Sequence, residues 1–162
     1  MKRILNISMA FVLLATPIFW LNCDGDNPAA VDLNDPSTFP GTYKLISVTG
    51  KSGEDFPAGL TIKAGEPTTV TIEGFTITLT VTGTLTLTET RYTFSITVKF
   101  ALTGFPEETE TDTDTGTYSI SGSTLTTVSD DSEVGTTTFT ISASGSELTL
   151  EDDEAKLVFE KQ

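Results

Sequence analysis

The chain has 162 residues, with 9 lysines and arginines against 23 aspartates and glutamates, no histidine, one cysteine and one tryptophan, a size that fits one domain. Without histidine there is no imidazole base, no Ser-His or Cys-His nucleophile pair and no His-ligated metal. A net charge of −14 repels phosphate backbones and anionic lipid surfaces, so nucleic acid is a poor partner and charge alone does not dock the chain on a membrane.

Met1-Lys2-Arg3 forms a short positive start, and Ile4 to Leu21 is mostly apolar with Asn6, Ser8, Thr16 and Pro17 interrupting it. That pattern predicts a secretory signal peptide over residues 1–22. A spanning helix needs about 20 consecutive apolar residues, whereas this stretch is broken and runs straight into Cys23-Asp24-Gly25-Asp26-Asn27-Pro28. The segment Trp20-Leu21-Asn22-Cys23 resembles the lipobox of bacterial lipoproteins, although leucine sits two rather than three places before the cysteine and Asn22 holds the small-residue site. The resemblance implies acylation of Cys23, which becomes the new N-terminus and anchors the chain in a membrane of the bacterial cell envelope, periplasmic or surface-exposed. Read from the residues alone, ordinary cleavage nearby would leave a free thiol or an intermolecular disulfide, since a lone cysteine has no internal partner. Loss of residues 1–22 removes Lys2 and Arg3 and no acid, leaving 7 basic and 23 acidic groups, a net charge of −16.

Residues 23–40 read as a lipidated tether of small, polar and proline residues in which only Val31, Leu33 and Phe39 have much to bury. Asn34 or Asp35 ahead of Pro36 has the chemistry of a helix start, so one helical turn is expected near 35–38, placed to plug one end of the domain C-terminal to it.

From Gly41 to Gln162 threonine alternates with apolar residues, and no long window carries a 3.6-residue repeat. Tyr92, Phe94, Ile96, Val98, Phe100 and Leu102 share one face of a strand, with Arg91, Thr93, Ser95, Thr97 and Lys99 on the other. The same alternation predicts strands near 42–49, 60–63, 68–72, 75–82, 84–88, 91–102, 116–121, 124–129, 136–143, 147–152 and 155–161, eight to ten of them once weak segments are merged.

Parity tests the connections, because a two-residue loop sets its flanking residues opposite each other on one face. Loops at Glu73-Gly74, Glu89-Thr90, Gly122-Ser123, Gly145-Ser146 and Asp153-Glu154 all pair apolar with apolar, as in Ile72 with Phe75 and Leu148 with Phe159. A tight turn at Thr82-Gly83 would fail that test, so Gly83 reads as a kink or wide turn. Consecutive hairpins with one apolar face predict an all-β fold, an up-and-down antiparallel β-barrel whose closure removes exposed edges. A β-sandwich of the immunoglobulin type is the alternative; it would need longer crossovers and lacks its Cys-Trp-Cys core. An outer-membrane barrel needs strands of about 9 to 11 residues, longer than most of those expected here.

Gly41-Thr42-Tyr43-Lys44-Leu45 resembles the opening strand of the bacterial lipocalin-like domain, whose members often begin Gly-x-Trp and are frequently lipid-anchored; here Tyr43 replaces the tryptophan. Residues 116–159, with GTYSISGSTLTTV, TTTFTISASGSELTL and KLVFEK, resemble that family's closing hairpins. The resemblance implies a lipocalin-like barrel over residues 41–162, one cationic side chain, Lys156 or Lys161, covering the Tyr43 ring, and an interior that takes one small apolar ligand. Tyr43, Phe75, Tyr92, Phe94, Phe100, Tyr118, Phe139 and Phe159 are the candidate ligand-binding residues, with core packing as their competing role. No lysine or arginine shows an interior phase on these strands, so a fatty-acid carboxylate would lack a partner except for Arg91 or Lys99 at a rim, which favours a neutral apolar or aromatic ligand.

The run Glu107-Glu108-Thr109-Glu110-Thr111-Asp112-Thr113-Asp114 reads as a solvated loop between two long strands; extended, it would align four carboxylates, yet it lacks the glycine and ligand spacing of an EF-hand calcium site. Carboxylates clustered in surface runs do not flank a cleft as glycoside cleavage requires. The expectation is therefore a monomeric, non-enzymatic binding protein with no cofactor and no metal, or else an acidic interaction module. Interior volume would favour ligand carriage, and a filled core with an exposed apolar patch would favour the module.

Overall fold

The structure, a computed structural model, describes residues 30–51, 58–72 and 75–162; the leader, Cys23 and most of the tether lie outside the described residues. Asp35 caps a single 3-10 turn at Pro36–Thr38, its carboxylate accepting from the Ser37 backbone N–H at 3.0 Å and the Ser37 hydroxyl at 2.7 Å, hydrogen bonds that hold its pKa below the ordinary value. Ten strands come after it: β1 (Gly41–Gly50), β2 (Thr61–Lys63), β3 (Thr68–Ile72), β4 (Phe75–Leu87), β5 (Arg91–Leu102), β6 (Glu108–Ser121), β7 (Thr124–Ser129), β8 (Thr136–Ser144), β9 (Glu147–Glu151) and β10 (Ala155–Lys161).

They form one sheet in the order β2-β1-β10-β9-β8-β7-β6-β5-β4-β3, and β1 also pairs with β4, from Gly41 opposite Leu87 to Lys44 opposite Thr84. That last pairing closes β1 and β4 to β10 into an eight-stranded antiparallel barrel, with β2 and β3 outside the ring. A single sheet closed on itself rules out two stacked layers. The five expected two-residue loops all have their flanking residues in the expected register: Ile72 faces Phe75, Leu87 faces Tyr92, Ile120 faces Leu125, Ile141 faces Leu150 and Leu148 faces Phe159. The inner face buries Leu45, Val81, Leu85, Leu125, Ile141, Leu148, Leu150 and Phe159, with Phe94 set edge-on to Phe159 at 6.2 Å between ring centres and 80°.

In two places the chain departs from its apparent pattern. Gly83 is no kink or turn: β4 runs through it, paired with β5 from Ile77 opposite Leu102 to Leu87 opposite Tyr92 without a register shift. Glycine stands there because a Cβ would lie 3.0 Å from the Ser95 carbonyl oxygen and 3.4 Å from Leu45 Cδ2, so its absence makes room for Leu45. The acidic run is not a loop either, since Glu108 to Asp114 forms the first half of β6.

β1 carries a bulge between Leu45 and Ser47 that moves the buried positions from Tyr43 and Leu45 to Val48. Beyond it β1 leaves β4 and pairs with β2. The β2–β3 turn bridges the parting strands, Ala64 N–H donating to the Ile46 carbonyl at 2.7 Å and Gly65 N–H to the Val81 carbonyl at 2.8 Å.

The two ends of the barrel differ. At one, the segment before β1 forms the expected plug: Phe39 and Val31 are buried, Val31 N–H donates to the Gly145 carbonyl at 2.9 Å, and the Tyr43 hydroxyl donates to the Phe39 carbonyl at 2.6 Å. At the other, β7 stops pairing at Ser129 opposite Gly116, so β3, β4, β5 and the first half of β6 project past the ring as an open sheet.

Candidate functional site

Tyr43 and Phe159 are fully buried, and Lys161 is the cation that covers the tyrosine, its Nζ 5.8 Å from the ring centre and donating to the Thr38 carbonyl. Contrary to the expectation that no cation faces inward, Lys161, opposite the buried Tyr43, turns to the inner face and is held there by the plug. Burial pushes the Tyr43 phenol well above its ordinary pKa.

Tyr92, Phe94, Tyr118 and Phe139 come together around a space inside the barrel with a volume of about 70 Å³. Small-molecule pockets run to roughly 300–1,000 Å³, so this space takes a few waters and no lipid. Thr127, Thr137 and Asp114 are its polar members, and the two carboxylate oxygens of Asp114 accept from the Tyr92 hydroxyl and the Ser129 hydroxyl, each at 2.5 Å. Burial, then the hydrogen bond and the negative charge of Asp114, push Tyr92 up to about 12. Tyr118, raised by burial, donates to the Thr88 carbonyl at 2.6 Å. A carboxylate-bearing ligand here would meet another carboxylate. Asp114 was missed as an interior residue because the acidic run reads as solvated, although counting by twos back from Ile120 and Tyr118 reaches it on the inner face.

Phe75 and Phe100 lie elsewhere, on the open sheet. Cross-strand pairs Val70 with Ile77, Ile77 with Leu102 and Leu79 with Phe100 continue the inner face past the ring. These side chains are half-buried, while Phe75, on the same face, is 62% exposed and Phe105, in the β5–β6 connection, 67%. The carboxylates share that face: Glu108 pairs with Phe100, Glu110 with Val98, Asp112 with Ile96 and Asp114 with Phe94. Alternate residues of a strand stand about 6.6 Å apart, whereas calcium binds oxygens at about 2.3–2.6 Å, and among the described residues no group of three acids converges on a metal position.

A second recess of about 390 Å³ opens on the outer surface where β1 and β4 part, with Thr42, Lys44, Thr82, Thr84 and Ser95 on its walls. Its walls are rich in hydroxyls and carry no aromatic side chain.

No family model matches the chain, and none of the curated proteins matches it. Among solved structures, a lipocalin-like protein from Bacteroides uniformis ATCC 8492 is similar at 17% identity and a TM-score of 0.44, over 76% of this chain and 97% of that one. The barrel stands on its own strand pairing.

Proposed function

We propose that this chain is a lipid-anchored, non-catalytic binding module of a bacterial cell envelope that engages its ligand on the open sheet beyond the barrel. Acylation of Cys23 supplies the anchor, and the plugged ring supplies a rigid scaffold. The observation that carries the reading is the contrast between an interior of about 70 Å³ and the unfilled apolar face around Ile77, Leu79, Phe100 and Leu102. A filled core with apolar surface left outside fits an interaction module better than a carrier of enclosed small apolar ligands.

The neutral dye Nile red tests this, because it reports apolar contact without a charge that the acidic surface would repel. Its fluorescence with the mature chain is expected to fall several-fold in the double variant Ile77→Ser with Phe100→Ser, and to persist in Thr137→Val, which alters only the wall of the interior space. Dye binding that survives the double variant and disappears on Thr137→Val would return the ligand to the barrel. Incorporation of labelled fatty acid that is lost in Cys23→Ser tests the anchor separately.

A further inference from the structure

The first half of β6 has β5 on one side, and among the described residues no strand on the other from Glu108 to Asp114. Two hydrogen bonds orient its backbone. Tyr118 N–H donates to the Thr90 carbonyl, and Asp130 N–H donates to the Thr115 carbonyl. Even-numbered residues of β6 therefore bond toward β5, and odd-numbered ones point their N–H and C=O groups away. Thr109, Thr111 and Thr113 present those groups at the open edge, while Glu108, Glu110, Asp112 and Asp114 present carboxylates on the apolar inner face.

We propose that this edge accepts an added strand: an extended segment of a partner protein with lysine or arginine at every second position. The proposal rests on the open sheet being the binding surface and names what occupies its rim. The acids are spaced too far apart to share one metal ion, yet that spacing is the repeat of a second extended chain, whose alternate cations would each fall opposite a carboxylate. Its intervening side chains would lie over Thr109, Thr111 and Thr113 on the outer face, where threonine or another β-branched residue packs well. The same charges reject the wrong partner. Two copies of this edge brought together would set carboxylate against carboxylate, so the row blocks self-association while admitting a basic strand.

A synthetic peptide of about seven residues with lysine at alternate positions and valine or threonine between is the probe, compared with an isomer whose lysines are consecutive. The alternating peptide is expected to bind the mature chain at least about fivefold more tightly than its isomer, since opposite-charge pairs across strands each contribute a modest amount. It is also expected to slow hydrogen exchange at the Thr109, Thr111 and Thr113 amides. Charge reversal by Glu110→Lys with Asp112→Lys should abolish the preference. Thr111→Pro, which removes an outward N–H and no β5–β6 bond, should weaken binding while the chain stays folded. Equal binding of the two isomers, absence of protection at those three amides, or indifference to Thr111→Pro would overturn strand addition. If the Nile red signal on the apolar face survives such a result, only the basic strand is lost; if that signal also fails, the open-sheet reading falls with it.

Discussion

Asp114 and the three tyrosines show how single groups read the barrel's interior. Tyr43, Tyr92 and Tyr118 are all the tyrosines of the chain, and each has its phenol raised, by burial first and at Tyr92 also by the Asp114 carboxylate. A phenol whose pKa is higher in the fold than in the unfolded chain keeps its proton longer in the fold, so between those two values the native state binds more protons and stability falls as pH rises. The stabilising contribution is complete below about pH 10, the ordinary tyrosine value, and is lost as pH climbs through about 12 for Tyr92. Ultraviolet titration of the folded chain is expected to show little phenolate near pH 10, and the melting temperature is expected to drop above it. Normal tyrosine titration near pH 10 with no loss of stability would remove the buried Tyr92–Asp114 contact from the interior.

At the scale of strands, alternation made most of the barrel legible because the hairpins between β4 and β5, β6 and β7, β8 and β9, and β9 and β10 turn through two residues, which leaves register no freedom once one face is apolar. What the sequence concealed lies where that constraint lapses. The five residues between β5 and β6 do not transmit parity, and charge made Glu108 to Asp114 look solvated although Thr109, Thr111 and Thr113 alternate as strand residues do. Gly83 misled in the other direction, a turn-like residue in mid-strand whose purpose is space for Leu45. Gly116 makes the sharper case, since a Cβ there would lie 2.1 Å from the Val128 carbonyl oxygen and 2.9 Å from Tyr92 Cε1. Backbone on one side and a buried ring on the other leave nothing to yield. Gly116→Ala is therefore expected to cost about 3 kcal/mol or more, while Gly83→Ala, with its nearest atom at 3.0 Å, should cost less, about 1–2 kcal/mol. Urea denaturation of the two variants checks the order, and an equal or reversed ranking would mean that β6 and β7 do not cross as closely as the register of Gly116 with Ser129 implies.

For the whole molecule, the plug and the charge set how the barrel stands in its surroundings. Val31 is fixed at the plugged end, so a tether from an acylated Cys23, eight residues earlier at about 3.6 Å each, would hold that end nearest the membrane and turn the acidic open sheet away from anionic headgroups. The chain's net charge of −14 is compensated by few contacts: the ion pairs among the described residues are Lys51 with Glu151, Arg91 with Asp130 and Lys99 with Glu107, all between partly exposed side chains. Lys51 holds the Glu151 carboxyl below its ordinary pKa, a small gain that is present at neutral pH and lost as acid protonates the group. Exposed pairs of this kind contribute little to stability, whereas self-repulsion acts among all the excess acids at once. Raising the ionic strength from about 0.01 to 0.1 M shortens the screening length from about 30 to about 10 Å, which damps repulsion between distant carboxylates more than attraction between paired groups in contact. The melting temperature of the chain at pH 7 is therefore expected to rise by a few degrees over that range in sodium chloride. A fall would show that the ion pairs outweigh the repulsion, and that the acids of β6 are held by contacts stronger than the two hydroxyls on Asp114.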